Sequence, residues 1–247
     1  AELFLHPERL PFKDPFLMQD MEKAADRIET AIKEGQSITV YGDYDVDGMT
    51  ATSLLVRALR RFGANVDFYI PDRITEGYGL NRPALEMLAA KTDLMITVDC
   101  GIASVADVAA VADKLDIVIM DTICLNPHRA DCPYPFKDLA GVGVAFKLCQ
   151  ALAQRLGHLD AKGEYTEDLE LVALGTVADL VPLRGENRRI VKEGMARMET
   201  TAMAGIAALV DVAGLKDKKI NAGHIGFLLA PRLNAAGRIE SARTGVA

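Results

Sequence analysis

From Met21 onward the apolar residues Ala24, Ala25, Ile28, Ala31 and Ile32 recur at three- and four-residue intervals, which predicts a helix that Gly35 ends. The period then shortens. Ser37-Ile38-Thr39-Val40-Tyr41 is a β-branched run that stops at Gly42, and a helix is expected over 50–61. Residues 65–70 read as a second strand closed by Pro71, and a helix follows Asn81-Arg82-Pro83, where Pro suits a first turn. Residues 94–98 form a continuous apolar strand, followed by a helix over 105–112 and a last strand over 117–120. Strands and helices alternate with short connections, the signature of a parallel sheet covered by helices. Beyond Gly141 the pattern is helical, over 145–156, 169–177, 188–198, 203–212 and 223–229. The expected fold class is α/β, a parallel sheet with flanking helices running into a helical half. The chain divides into an arm and helix (1–35), the sheet (36–140) and the helical half (141–247).

Half of the 247 residues are hydrophobic, enough for a sizeable core, and 26% are charged. No stretch of ~18 residues is apolar throughout, so no membrane span is expected. The first residues carry neither a basic region nor an apolar one, so no secretory signal is read, and Ala1 suggests a trimmed start. Cys100, Cys124, Cys132 and Cys149 lack CxxC spacing and read as reduced thiols of a cytoplasmic protein. The net charge of −7 argues against a protein that coats nucleic acid by neutralising phosphates. It leaves room for an enzyme that holds phosphate through cations, since carboxylates gathered for that purpose lower the isoelectric point.

Residues 41–50, YGDYDVDGMT, place Asp43, Asp45 and Asp47 at the carboxyl end of the first strand, where open α/β sheets bind ligands. Two carboxylates ~4 Å apart repel by about 4 kcal/mol at an effective dielectric of 20, so such a cluster is readily kept where a divalent cation neutralises it. Oxygen ligands suit Mg²⁺ or Mn²⁺. The plainer alternative is an Asp-rich turn capping the next helix. The D-x-D-x-D-G spacing matches the opening of an EF-hand, but no Glu follows Gly48 in range, so calcium is not expected. Asp99 follows the strand over 94–98 in the equivalent place, and Asp179 ends Gly175-Thr176-Val177-Ala178 in the helical half. Taken alone, each of these two reads as well or better as a turn or cap residue.

Several other features have plain readings. Gly141-Val142-Gly143 either cradles a phosphate with its N–H groups or simply starts a helix. His128 reads as a surface turn residue, His224 as a packing or capping residue, and residues 216–219 as a solvated loop. Arg57, Arg60 and Arg61 read as the outer face of their helix.

Six segments carry a resemblance: 42–48 (GDYDVDG), 73–81 (RITEGYGLN), 97–101 (TVDCG), 141–147 (GVGVAFK), 175–183 (GTVADLVPL) and 231–238 (PRLNAAGR). In this order they resemble the motifs of the DHH phosphoesterase superfamily, and within it those of the bacterial single-stranded-DNA exonucleases. The resemblance implies a 5′→3′ exonuclease that hydrolyses single-stranded DNA in repair and recombination, using two Mn²⁺ or Mg²⁺ ions. It implies Asp43 and Asp45 as first-motif ligands, Asp99 as a ligand able to bridge both ions, and Asp179 as a fourth ligand. These four are the candidate catalytic and metal-binding residues. Arg73, Arg238 and Asn234 are implied at the substrate, the arginines through bidentate pairing with phosphate. Asp47 is expected outside the ligand set, as a supporting residue or cap of the following helix. Single-stranded DNA is the implied partner, with a helicase or single-strand-binding protein as accessory partners. A full-length relative would continue through a connector into a second phosphoesterase-associated domain, so the expectation here is the catalytic core alone.

One motif departs from the pattern. The superfamily is named for an Asp-His-His directly after the strand that here spans 117–120, yet this chain continues Asp121-Thr122-Ile123-Cys124-Leu125-Asn126-Pro127-His128. His6, His128, His158 and His224 include no adjacent pair. Either the sequence passes over a disordered loop that carries the histidines, or the motif is deleted and metal binding is impaired. The intact remaining motifs favour the first. Asp121 is either the motif's own Asp or the residue after the gap. Two further functions stay open: a small-substrate phosphoesterase (oligoribonuclease, cyclic-dinucleotide hydrolase or pyrophosphatase), and a non-catalytic scaffold of the same fold.

Overall fold

The structure, a computed structural model, describes residues 2–101, 104–120, 125–239 and 242–246. Its first half runs α1 (Met21–Lys33), β1 (Ser37–Tyr41), α2 (Val46–Arg61), β2 (Asn65–Tyr69), α3 (Arg82–Ala89), β3 (Leu94–Val98), α4 (Val105–Ala109) and β4 (Asp116–Met120). The four strands form one parallel sheet in the order β2-β1-β3-β4. Side chains alternate across it. Ile38, Val40, Ile96 and Val98 enter the large core that α1 and α2 share with the helical half, whereas Tyr41 and Met95 face the opposite cluster with Leu85 and Leu88 of α3. Burial on both faces explains why β3 reads as an unbroken apolar run.

The second half is α5 (Gly141–Leu156), α6 (Leu169–Ala178), α7 (Gly185–Met198), α8 (Ala204–Val212) and α9 (Ala230–Ile239), with a π turn at Ile225–Leu229. Pro231 lacks an N–H, so the Phe227 carbonyl has no donor four residues on, and the helix widens into the π turn just before it. Helices α6 and α7 approach so closely that a Cβ on Gly194 would strike the Leu169 carbonyl. Among the described residues, no helix is long and apolar enough to cross a membrane.

Three helices differ from the sequence expectations. Helix α2 starts at Val46 rather than near 50, because Asp45 accepts from the Gly48 N–H and makes the acidic turn the helix's own first turn. Helix α5 starts at Gly141 rather than 145, and α9 gave no periodic signal at all. Arg57 and Arg61 stay exposed on the outer face expected of them, and they also gain a partner there. Both pair with the buried Asp168 that precedes α6, at 3.0 and 3.1 Å, and Arg61 also donates to the Tyr165 hydroxyl. Cys100, Cys132 and Cys149 are buried and form no disulfide among the described residues, while Cys124 lies outside them.

A buried polar knot ties the N-terminal arm to the helical half. Lys147 Nζ donates to Glu186 Oε1 at 2.9 Å, to Gln150 Oε1 at 2.6 Å and to the Lys13 carbonyl at 2.8 Å. Glu186 also accepts from the Tyr134 hydroxyl and from the Lys13 N–H. Burial lowers the Lys147 pKa, and the Glu186 carboxylate opposes that shift.

Candidate metal centre

In this strand order the chain leaves β1 in one direction to form β2 and in the other to form β3, so the crevice of the sheet opens beyond the carboxyl ends of β1 and β3. Asp43 follows β1 and Asp99 follows β3. Asp45, two residues after Asp43, caps α2. Asp43, Asp45 and Asp99 each offer a carboxylate oxygen, and the three oxygens lie within 4.8 Å of one another.

The backbone pays for this convergence locally. Asp99 sits in the left-handed region at φ +56°, and Gly101 follows at φ +122°. Gly48 lets α2 pass against the Asp43 backbone: a Cβ there would stand 2.7 Å from both Asp43 Cβ and its carbonyl oxygen. No other residue type fits without moving the loop.

The electrostatics are those of carboxylates gathered close together out of water. Asp43 is 2% exposed, and burial pushes its carboxyl up to about 6, with Asp45 adding to the rise and the Arg73 guanidinium opposing it. Its Oδ1 is buried and has no hydrogen-bond partner. Burial also raises Asp99 far above the usual carboxylate range, reinforced by Asp47, Asp45, Asp43 and Asp179. Hard oxygen donors, one of them orphaned, packed closely enough to repel one another, fit a divalent cation such as Mg²⁺ or Mn²⁺.

The other candidates fall around this trio. Asp179 ends α6 and lines a small cleft with Asp45, Asp47 and Asn234; burial and the Asp45 charge raise its pKa. It adjoins the trio rather than completing it. Asn234 Oδ1 accepts from the Val46 N–H at 3.2 Å, so its oxygen holds the first turn of α2. Asp47 does not cap its own helix. Both its oxygens accept from the start of α5, at 2.7 Å from the Gly141 N–H and 2.9 Å from the Val142 N–H. Those two donors of the glycine-rich helix start are thereby occupied from within, so they are not free to cradle a phosphate. Arg73 is exposed on the loop between β2 and α3, its guanidinium carbon 5.3 Å from the Tyr44 ring centre. Arg238 falls within α9, but its side chain, like Asp121, lies outside the described residues.

Two aromatic residues were missed by the sequence reading. Tyr44 and Tyr78 meet edge to face at 6.3 Å, and the exposed Tyr78 donates its hydroxyl to the Asp99 carbonyl at 3.5 Å. Both tyrosines stand inside motifs already recognised, and only their position beside the carboxylates singles them out.

The DHH family, N-terminal domain, matches residues 37–176, more than half of the chain. The chain belongs to the DHH family. It is 46% identical over 260 residues to the single-stranded-DNA-specific exonuclease RecJ of Bacillus subtilis (strain 168), covering 100% of this chain but 32% of that protein. A crystal structure of exonuclease RecJ bound to manganese superposes with a TM-score of 0.84 at 34% identity, over 96% of this chain and 62% of that one. RecJ from Thermus thermophilus in complex with Mg²⁺ superposes with a TM-score of 0.71 at 34% identity, over 93% of this chain and 31% of that one. This DHH chain thus spans about a third of the length of its B. subtilis relative.

Proposed function

We propose that this chain is the catalytic unit of a divalent-metal-dependent 5′→3′ exonuclease that hydrolyses single-stranded DNA in repair and recombination. The observation that carries the reading is the orphaned, buried Asp43 Oδ1 beside Asp45 and Asp99, in a chain so similar to named single-stranded-DNA-specific exonucleases. Asp43, Asp45 and Asp99 would hold Mn²⁺ or Mg²⁺, with Asp179 beside them at the end of α6 as a further candidate ligand. Ions bound there would lower the pKa of an attacking water and stabilise charge building on the phosphate. Arg73 beside Asp43, and Arg238 from α9, would pair with phosphates of the strand and orient it. Asn234 supports the site by fixing the turn that carries Asp45.

Access argues for a single strand. A scissile phosphate must reach carboxylates at the bottom of a crevice between sheet and helical half, where one strand threads and a duplex must first be unpaired. A helicase or single-strand-binding protein is the accessory partner this requirement suggests, in the cytoplasm. The test compares 5′-labelled single-stranded, duplex and dinucleotide substrates with Mn²⁺ or Mg²⁺ and with excess chelator. Degradation of single strands from the 5′ end, lost in chelator, is expected. Hydrolysis of dinucleotides alone would move the assignment to a small-substrate phosphoesterase.

One observation favours a second reading. The four histidines include no adjacent pair, so a non-catalytic scaffold of the same fold is the alternative. The same 5′-labelled single strand separates the two, since a scaffold would leave it intact with Mn²⁺ present.

A further inference from the structure

Among the described residues, five that are not glycine have a positive φ: Asp20, Asp99, Asp168, Leu180 and Asp217. Four are aspartates, a residue type that tolerates the left-handed region because its short polar side chain can hydrogen-bond locally. Leu180 is the exception. At φ +59° it directly follows Asp179, the C-cap of α6, in the position where helices most often place glycine. Its N–H donates to the Val177 carbonyl at 3.3 Å, so this left-handed residue closes the helix.

Burial does not offset the strain. Leu180 is 86% exposed, the most exposed large hydrophobic residue among those described. Its apolar neighbours Val177, Val181 and Leu183 all pack against the core. The segment is also anchored: Asn187 Nδ2 donates to the Pro182 carbonyl at 3.1 Å, and Arg184 pairs with Asp138 at 2.7 Å. An apolar side chain thus stands in water on a strained backbone, where glycine would suit the turn better. Strain of this kind collects at functional positions.

The place points to the partner. Asp179 lines the cleft it shares with Asp45, Asp47 and Asn234, and the Leu180 Cα lies ~3.8 Å from that of Asp179 along the chain. A phosphate drawn to these carboxylates by cations carries its sugar and base with it. Aliphatic side chains, leucine among them, pack on or between bases in nucleic-acid complexes. Such a contact reads no donor or acceptor, so it tolerates any sequence. It also needs an uncovered base face, which a single strand offers and a stacked, paired duplex does not.

We propose that Leu180 is a substrate-contacting residue, an apolar finger at the end of α6 that packs against a nucleobase of the strand held at the metal centre. The inference rests on the single-stranded-DNA reading above and deepens it: cations and arginines engage the phosphates, and Leu180 engages a base.

The test is release of 5′ label from a single strand by the full chain with Mn²⁺, inhibited by unlabelled competitor strands. One competitor carries its bases, and the other has the same phosphates but is abasic throughout. The parent is expected to be inhibited better by the base-bearing competitor. Leu180→Asn nearly keeps the shape and suits a positive φ but removes the apolar surface. It is expected to shrink that preference about fivefold, the low end of what stacking a base on a side chain contributes. Leu180→Met restores an apolar contact and should keep the preference within twofold of the parent. Leu180→Gly relieves the backbone, so it should lose the preference while its melting temperature equals or exceeds the parent's. A parent without preference for bases, or a preference unchanged within twofold in Leu180→Asn, would overturn the proposal. A melting temperature lower by several °C in Leu180→Gly, or loss of all label release in Leu180→Asn, would make Leu180 part of the architecture of the site and overturn it too. A parent chain that releases no label from any single strand would instead refute the single-stranded-DNA reading itself.

Discussion

Tyr41 of β1 and Thr97 of β3 are register partners in the parallel sheet, and each stands two residues before a carboxylate, Asp43 and Asp99. Equal steps from paired positions bring both acids to the same edge of the crevice. The strands' hydrogen-bonding register, set by buried apolar side chains, thereby determines the spacing of the site.

Replacing one of these acids should separate function from stability. Asp99→Asn removes a ligand and also relieves the repulsion it shares with Asp43, Asp45 and Asp47. Metal-dependent cleavage is expected to fall at least about 100-fold, while the metal-free melting temperature rises by a few °C. Parallel nuclease assays and thermal melts in chelator check both signs.

The metal-free chain should lose stability as pH rises. Burial moves the Asp43 carboxyl from 3.8 to about 6, so between those values the folded state retains a proton that the unfolded state releases. This contribution is complete below about pH 4 and fades as pH climbs through about 6. Because a cation replaces the proton, added Mn²⁺ should raise the melting temperature more at pH 8 than at pH 5. Melts of the parent and Asp43→Asn across this range, with and without Mn²⁺, isolate the effect. A parent and variant with the same pH profile would contradict it.

Arg73 tests the placement of the substrate. It lies exposed beside Tyr44 and close enough to Asp43 to lower its pKa. Arg73→Ala should weaken single-stranded DNA binding by about tenfold and reduce the slope of log affinity against log salt by about 0.7. Fluorescence anisotropy at several salt concentrations reads both quantities.

The Lys147–Glu186 pair should be costly to break and cheap to replace. Both side chains are at most 2% exposed. Lys147→Met leaves Glu186 charged and unpaired and is expected to cost about 3–5 kcal/mol in denaturant unfolding. The double replacement Lys147→Met with Glu186→Leu should cost less than the single one.

Two glycines make a paired prediction. Gly48→Ala forces a Cβ against the Asp43 backbone and should abolish metal-dependent activity, whereas Gly205 in α8 has open space around it. Gly205→Ala should stabilise the chain by about 0.5–1 kcal/mol through helix propensity alone. Denaturation curves of both variants provide the comparison.

The strands and most helices could be read along the chain because burial leaves a pattern: β1 and β3 are short runs buried on both faces, and α1 repeats at intervals of three and four along one apolar face. The acids at strand ends were legible for the same reason, since the end of an apolar run marks the end of a strand and Asp43 and Asp99 follow directly. What lay between distant segments was not legible. That Asp47 caps α5 rather than α2, that Arg57 and Arg61 pair with Asp168, and that Tyr78 reaches the Asp99 carbonyl are contacts between residues 21 to 111 positions apart. Polar side chains carry no period, and their partners depend on which helix ends and loops the packed core brings near. Local sequence therefore determined the elements and the chemistry on offer here, while tertiary packing decided which carboxylates face a cation and which hold the helices around it.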